Sequence, residues 1–313
     1  MAALPPPVAA LRVAVRQALS GVRAQSSVLV ACSGGADSLA LAATVAFVAP
    51  RLDLRPGLVT VDHQLQPGSA DRAAKLVAWA AERGFAPAEV AVVDVRGRPG
   101  GPEAAARDAR YEALGAAAER HGAAAVLLGH TRDDQAETVL LALARGAGPR
   151  GLSGMPVRRG VFVRPLLDVD RATTRAACRE LGLEAWEDPH NADPAYARSR
   201  VRSTALPALV DALGPGVVAN LARTAALIAE DTALLDELAA ASETLNTSEL
   251  AALHPAIRRR VLRHWASRHS TALTHVHLDA LDALVIDWHG QGAVHLPGGA
   301  TVTRRDGFIV LDL

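Results

Sequence analysis

A chain of 313 residues, half of them apolar, has material for one large domain or two ordinary ones with ample core. Its 33 lysines and arginines balance its 33 aspartates and glutamates, so charge alone does not point to nucleic acid. No uninterrupted apolar run approaches the roughly 20 residues of a membrane span. The first residues lack the charged start and apolar core of a secretion signal. Cys32 and Cys178 are the only cysteines, far apart and without a Cys-x-x-Cys, which argues for a reducing compartment and against a disulfide framework or structural zinc site. A cytoplasmic protein is expected.

Residues 8–20 have the apolar spacing of a short amphipathic helix. Val28 to Ala31 is an apolar run of β-formers too short for a helix, and from Leu39 through Ala42, Ala43 and Ala46 the period becomes helical. Further strands are expected at 57–63, 90–95, 123–129 and 161–166, and further helices at 67–83, 102–121, 133–145 and 171–181. This alternation predicts right-handed βαβ units and an α/β fold, a doubly wound parallel sheet with helices on both faces. Residues 184–202, rich in Asp, Pro, Asn and Arg, form a loop longer than a minimal connection. Beyond 201 the pattern is helical, over 201–212, 216–241, 247–268 and 275–288. The tail 292–313 suggests three short strands, with turns at 297–299 and at Asp306-Gly307. A catalytic domain is expected over 1–207, followed over 208–313 by a smaller, mainly helical domain with a short β-meander.

Between the first strand and its helix lies Ser33-Gly34-Gly35-Ala36-Asp37-Ser38. Its glycines permit a sharp turn that brings N–H groups together, and the helix start adds unsatisfied donors and a positive dipole end. Such a loop suits a phosphate or pyrophosphate. Gly-Lys-Ser/Thr is absent, so it is not the common mononucleotide loop. Glycine and serine also occur in plain strand-to-helix turns. The apolar strand before this one, Asp37-Ser38 within it and the apolar helix after it favour binding.

Polar residues also end the second and fourth strands, as Asp62-His63 and Gly129-His130. Ligands of parallel sheets bind beyond the carboxyl ends of the strands, so all three strand ends belong to one expected site. The helix after His130 carries Asp133 and Glu137 four apart on one face, and likewise Asp134 and Thr138. Acidic residues at a helix start are often mere dipole partners. Three carboxylates with a histidine at a ligand-binding edge also suit holding Mg2+, binding a cationic substrate or acting as a base, and the residues alone leave these open.

The Ser-Gly-Gly-x-Asp-Ser loop resembles the signature of the PP-loop ATP pyrophosphatases, which cut ATP between the α and β phosphates. Seven stretches then follow in order: Val61-Asp62-His63, residues 106–114, Gly129 to Thr138, Arg145 to Met155, Arg164-Pro-Leu-Leu167, Asp188-Pro-His-Asn191 and Arg198 to Arg202. Over about two thirds of the chain this series resembles that of the tRNA(Ile)-lysidine synthase family. Ser199, His190 and Cys32 depart from the family's usual residues.

The resemblance implies ATP and Mg2+ as cofactors, with a CAU-anticodon tRNA(Ile) and free L-lysine as substrates. It implies adenylation of the wobble cytidine at its C2 oxygen with loss of pyrophosphate, then attack of the lysine ε-amine at C2 with loss of AMP. Codon specificity changes from AUG to AUA. By the same resemblance Ser33, Gly34, Gly35, Ala36 and Ser38 cradle the pyrophosphate and Asp37 helps hold Mg2+. Asp62, His63, Arg107 and Gly129 complete the ATP site, and Arg110, with Arg107, neutralises charge developing on the phosphates. Asp134 and Glu137 receive the lysine ammonium, and one of them or His130 takes its proton. Asp133, Asn191, Arg198 and Arg202 are expected to contact the lysine or the tRNA. The oligomeric state stays open, a homodimer included.

Three rivals are weaker. A tRNA thiolase of the same superfamily is expected to carry cysteine pairs or a cluster, and ligases for GMP, asparagine or NAD synthesis carry glutaminase or other partner domains. A silent nucleotide- or RNA-binding module need not keep Asp37, Asp134 and Glu137.

Overall fold

Strand β1 (Ser27–Ala31) buries its residues alternately against two helical layers, as the two-residue period of a strand dictates. Val28 and Val30 join an apolar cluster with helices α1 (Pro6–Leu19), α2 (Ala36–Val48), α3 (Ser69–Ala81) and α7 (Arg171–Glu180). Leu29 joins Leu114, Ala117 and Ala118 of α4 (Pro102–Arg120) on the other face. The computed structural model describes residues 4–98, 101–188, 193–270 and 273–312.

The remaining strands are β2 (Arg55–Asp62), β3 (Ala88–Val92), β4 (Ala123–Leu128), β5 (Arg158–Arg159) and β6 (Phe162–Val163). They form one sheet in the order β3-β2-β1-β4-β6-β5, parallel except for β5. This is the expected doubly wound architecture with an antiparallel edge. The strand order reverses between β1 and β4, which opens a crevice at their carboxyl ends. The loops after β1 and β4 flank it.

Four stretches differ from the expected ones. The third strand covers 88–92 rather than 90–95, because the Asp94 carboxylate accepts from the Arg96 backbone N–H and closes a turn. The fifth strand is cut to two residues between the left-handed Gly160 and Pro165, which has no N–H to give a ladder. The single helix expected over 247–268 is two, α11 (Thr247–Ala252) and α12 (Pro255–Ala266), because Pro255 starts a new helix that His254 Nδ1 caps by accepting from Ala256 N at 3.2 Å. The end of the expected 184–202 loop is helical: α8 (Ala197–Arg200) runs through a π-type turn, Val201–Ala205, into α9 (Leu206–Leu213).

The chain divides into compact units Met1–Ala226 and Leu227–Leu313, a division that falls within α10 (Val217–Ala240); residue 207 lies inside the first unit. The second unit packs α11, α12 and α13 (His275–Ile286) with an antiparallel sheet of β7 (Val294–His295), β8 (Thr301–Arg305) and β9 (Phe308–Asp312). Inside it the buried Arg258 donates from Nε to Asp282 Oδ1 at 2.7 Å and from Nη1 to the Leu253 carbonyl at 3.1 Å. Among the described residues no single helix is long and apolar enough to cross a membrane.

Candidate active site

The loop after β1 is organised by Ser38. Its hydroxyl donates to the Gly35 carbonyl at 2.9 Å and accepts from the Ser33 backbone N–H at 3.2 Å, with Ser33 Oγ also 3.2 Å away. Gly34 has a φ of +84°, a conformation that glycine adopts without strain. Gly35 then caps α2, whose first turn, from Ala36 onward, directs its N–H groups out of the helix end. Gly129 meets this turn from the end of β4. A Cβ there would lie 3.1 Å from Ser38 Cα and 3.2 Å from Ser38 N, so a larger residue fits only if the backbone of the loop gives way. Trp186 closes the loop from another side, donating its backbone N–H to the Gly34 carbonyl at 3.0 Å.

The acidic residues of α5 (Arg132–Ala144) lie at its first turns because Thr131 caps it. Asp134 Oδ2 accepts from the backbone N–H and hydroxyl of Thr131, both at 2.8 Å, a capping box with aspartate in the reciprocal position. Its other oxygen accepts from Arg171 Nη2 at 2.8 Å and Arg202 Nη2 at 3.2 Å. Glu137, with no exposed side-chain surface, accepts from Arg171 Nη2 at 3.0 Å and from Arg202 Nε at 2.7 Å. Arg198 Nε stands 3.5 Å from Glu137 Oε2, and its Nη2 donates to Thr138 Oγ1 at 2.7 Å. Three guanidiniums therefore converge on two carboxylates. Burial raises the Asp134 carboxyl, but Arg171 and the hydrogen bonds from Thr131 outweigh it and hold the group below its ordinary range.

Asp37 connects this cluster to the glycine loop. Thr174 donates to its Oδ1, and Arg171 Nε lies 3.8 Å from its Oδ2. Burial raises the Asp37 carboxyl nevertheless. Asp133 meets the start of α7, accepting the Arg171 backbone N–H at 2.8 Å.

Burial lowers both histidines. For His130 the value falls to about 3, with Asp134 opposing and the charges of Arg164, Arg198 and Arg110 adding to burial. His63 is lowered by burial and then by Arg110. Each has a buried Nδ1 without a hydrogen-bond partner. Asp62 is buried, with Oδ1 accepting from the Gln64 backbone N–H at 2.9 Å. Arg107 and Arg110 both lie on exposed positions of α4, Arg107 with its guanidinium 5.6 Å from the Tyr111 ring centre. Asn191 lies outside the described residues. Burial pushes the Cys32 thiol up to about 11 and also raises that of Cys178, so neither is a ready thiolate.

Arg171, Thr174, Gln135 and Arg164 are the site residues that sequence reasoning missed. Gln135 clamps the 145–155 segment, donating to the Met155 carbonyl at 3.0 Å and accepting from its N–H at 2.8 Å. Arg171 is the first residue of α7, where a cap at Asp170 was the only available signal.

A family model described as a PP-loop domain matches residues 10–209, and one described as the TilS substrate binding domain matches residues 245–309. The chain is 63% identical to the tRNA(Ile)-lysidine synthase of Salinispora tropica over 98% of its length and 97% of that protein's. It is 55% identical to the one of Thermobifida fusca over 99% of both. Among solved structures, the U34-tRNA thiolase NcsA of Methanococcus maripaludis superposes with a TM-score of 0.58 at 17% identity, covering 72% of this chain and 80% of that one, a likeness of fold alone.

Proposed function

Because this chain belongs to the tRNA(Ile)-lysidine synthase family, we propose that it joins L-lysine to C2 of the wobble cytidine of a CAU-anticodon tRNA(Ile) through an adenylated tRNA. The observation that carries this reading is the meeting of two half-sites at the sheet's reversal point: the 33–38 glycine loop with Asp37 and a carboxylate pair, bridged by Arg171.

In the first step Ser33, Gly34, Gly35, Ala36 and Ser38 hold the leaving pyrophosphate at the start of α2, where backbone donors and the helix dipole favour an anion. Asp62, His63 and Gly129 flank the nucleotide, and Arg107 and Arg110 offset negative charge as the C2 oxygen attacks the α phosphorus. Magnesium usually takes one or two carboxylates plus substrate phosphates. Asp37, partly exposed beside the loop, fits as that single protein carboxylate, and the ion would supply charge neutralisation to the phosphates.

In the second step Asp134 and Glu137 receive the lysine ammonium. Arg202, the most exposed of their three partners, yields its contacts to the incoming amine. One carboxylate or the neutral His130 takes the proton that must leave before nitrogen attacks C2 and AMP departs. Asp133, Asn191, Arg198 and Arg202 serve the lysine or the tRNA, and the reaction belongs in the cytoplasm.

The test is incorporation of labelled lysine into a CAU-anticodon tRNA(Ile) transcript with ATP and Mg2+, beside a transcript with another wobble base. Incorporation that requires ATP and the cytidine is expected. AMP formation without lysine transfer would move the assignment to another nucleophile.

A further inference from the structure

Arg164 follows β6, which lies between β4 and the edge strand β5. Val163 pairs with Leu127, which sets Arg164 level with Leu128, two residues before His130. Its side chain is almost wholly buried, with the residue 3% exposed. Nη1 donates to the Pro156 carbonyl at 2.7 Å and Nη2 to Tyr111 Oη at 3.1 Å, while the buried Nε has no hydrogen-bond partner. Among the described residues no carboxylate lies within ion-pair distance of it. A buried guanidinium held only by neutral groups is costly, and mere packing does not call for it.

Tyr111 shows where that cost is directed. Its ring meets Phe162 of β6 in a T-shaped pair, with centroids 5.0 Å apart at 82°, its hydroxyl accepts from Arg164, and Arg107 lies over its ring. Tyr111 follows Arg110 directly on α4. Arg164 thus fixes, through one phenol, the helix stretch that carries both exposed arginines.

We propose that Arg164 is a positioning residue for ATP: buried beside the paired strands β4 and β6, it sets the α4 stretch bearing Arg107 and Arg110 and contributes a positive charge that the triphosphate compensates. This rests on the ATP-binding reading above. The charge acts on phosphates and not on a nucleoside, which separates it from a general packing role.

The experiment compares the affinities of the full-length protein for ATP and adenosine by calorimetry, in wild type, Arg164→Met and Arg164→Lys. Arg164→Met is expected to weaken ATP by about tenfold and leave adenosine within about twofold, with Arg164→Lys recovering most of the ATP loss. Unchanged ATP affinity in Arg164→Met, or parallel loss of ATP and adenosine, would overturn the proposal. If Arg164→Met does not fold, Tyr111→Phe replaces it, expected to weaken ATP about threefold with adenosine unchanged; equal ATP affinity there overturns the proposal. Lysine incorporation by the wild type is scored separately. Its absence overturns the proposed reaction and leaves the ATP comparison readable.

Discussion

Arg202 grips Glu137 with two prongs, Nε 2.7 Å from Oε1 and Nη2 3.0 Å from Oε2. The carboxylate it grips is fully buried and shared with Arg171 and Arg198. Removing the acid therefore leaves cations facing one another. Glu137→Ala should cost about 3 kcal/mol in urea unfolding, the usual scale for breaking a buried pair from one side. It should abolish lysine transfer while tRNA-dependent pyrophosphate release continues. Loss of both steps together would contradict the division of labour between the two half-sites.

Gly129→Ala tests the close approach of the β4 end to the glycine loop. The new methyl group meets backbone atoms of Ser38 and Asp37 at 3.1 to 3.3 Å, and these cannot rotate away as a side-chain tip does. ATP affinity should fall by about tenfold, with a stability cost of roughly 1 kcal/mol from overpacking. A variant that binds ATP like the wild type would show that the loop has slack.

Acid should weaken the fold through His130. Its value in the folded chain, about 3, lies below the ordinary 6.5, so the unfolded chain binds the proton more tightly. The resulting stabilisation is complete above about pH 6.5 and drains away as the pH falls toward 3. Asp134, also depressed, adds to the loss at the acid end, whereas the raised Asp37 carboxyl opposes it. His130→Asn should flatten the decline in urea-unfolding stability between pH 6.5 and 4. An unchanged slope would mean that the decline has another source.

In the second unit, Asp282→Ala strips Arg258 of its carboxylate and Arg259 of its 3.1 Å contact to the same residue. Both Arg258 and Asp282 are buried, so the cost should be about 3–5 kcal/mol. Calorimetry should show a lowered transition while ATP binding persists. Replacing the pair together, Arg258→Met with Asp282→Leu, should restore much of the loss, because no buried charge is then left alone.

Much of the fold was legible because it is governed by near neighbours. The alternation of apolar runs and helical periods predicted the parallel sheet, and the glycine loop announced itself by composition and by its place between strand and helix. The break at Pro255 was equally present in the chain and was overlooked in favour of apolar periodicity. The shortening of the fifth strand depends on Gly160 adopting a left-handed turn, which a run of β-formers conceals.

By itself the sequence determined most of the elements, the order of the strand ends that could carry polar groups, and the place of Asp134 in the first turn of its helix. These follow from interactions spanning a few residues. Only the tertiary structure decided which charges meet. Arg171 reaches Glu137 across 34 residues, Arg202 reaches Asp134 across 68, and Arg164 reaches Tyr111 across 53. Periodicity and spacing describe which face a residue occupies on its own element. The partner waiting there depends on how separate elements converge at the carboxyl edge of the sheet, and burial then makes that meeting energetically significant.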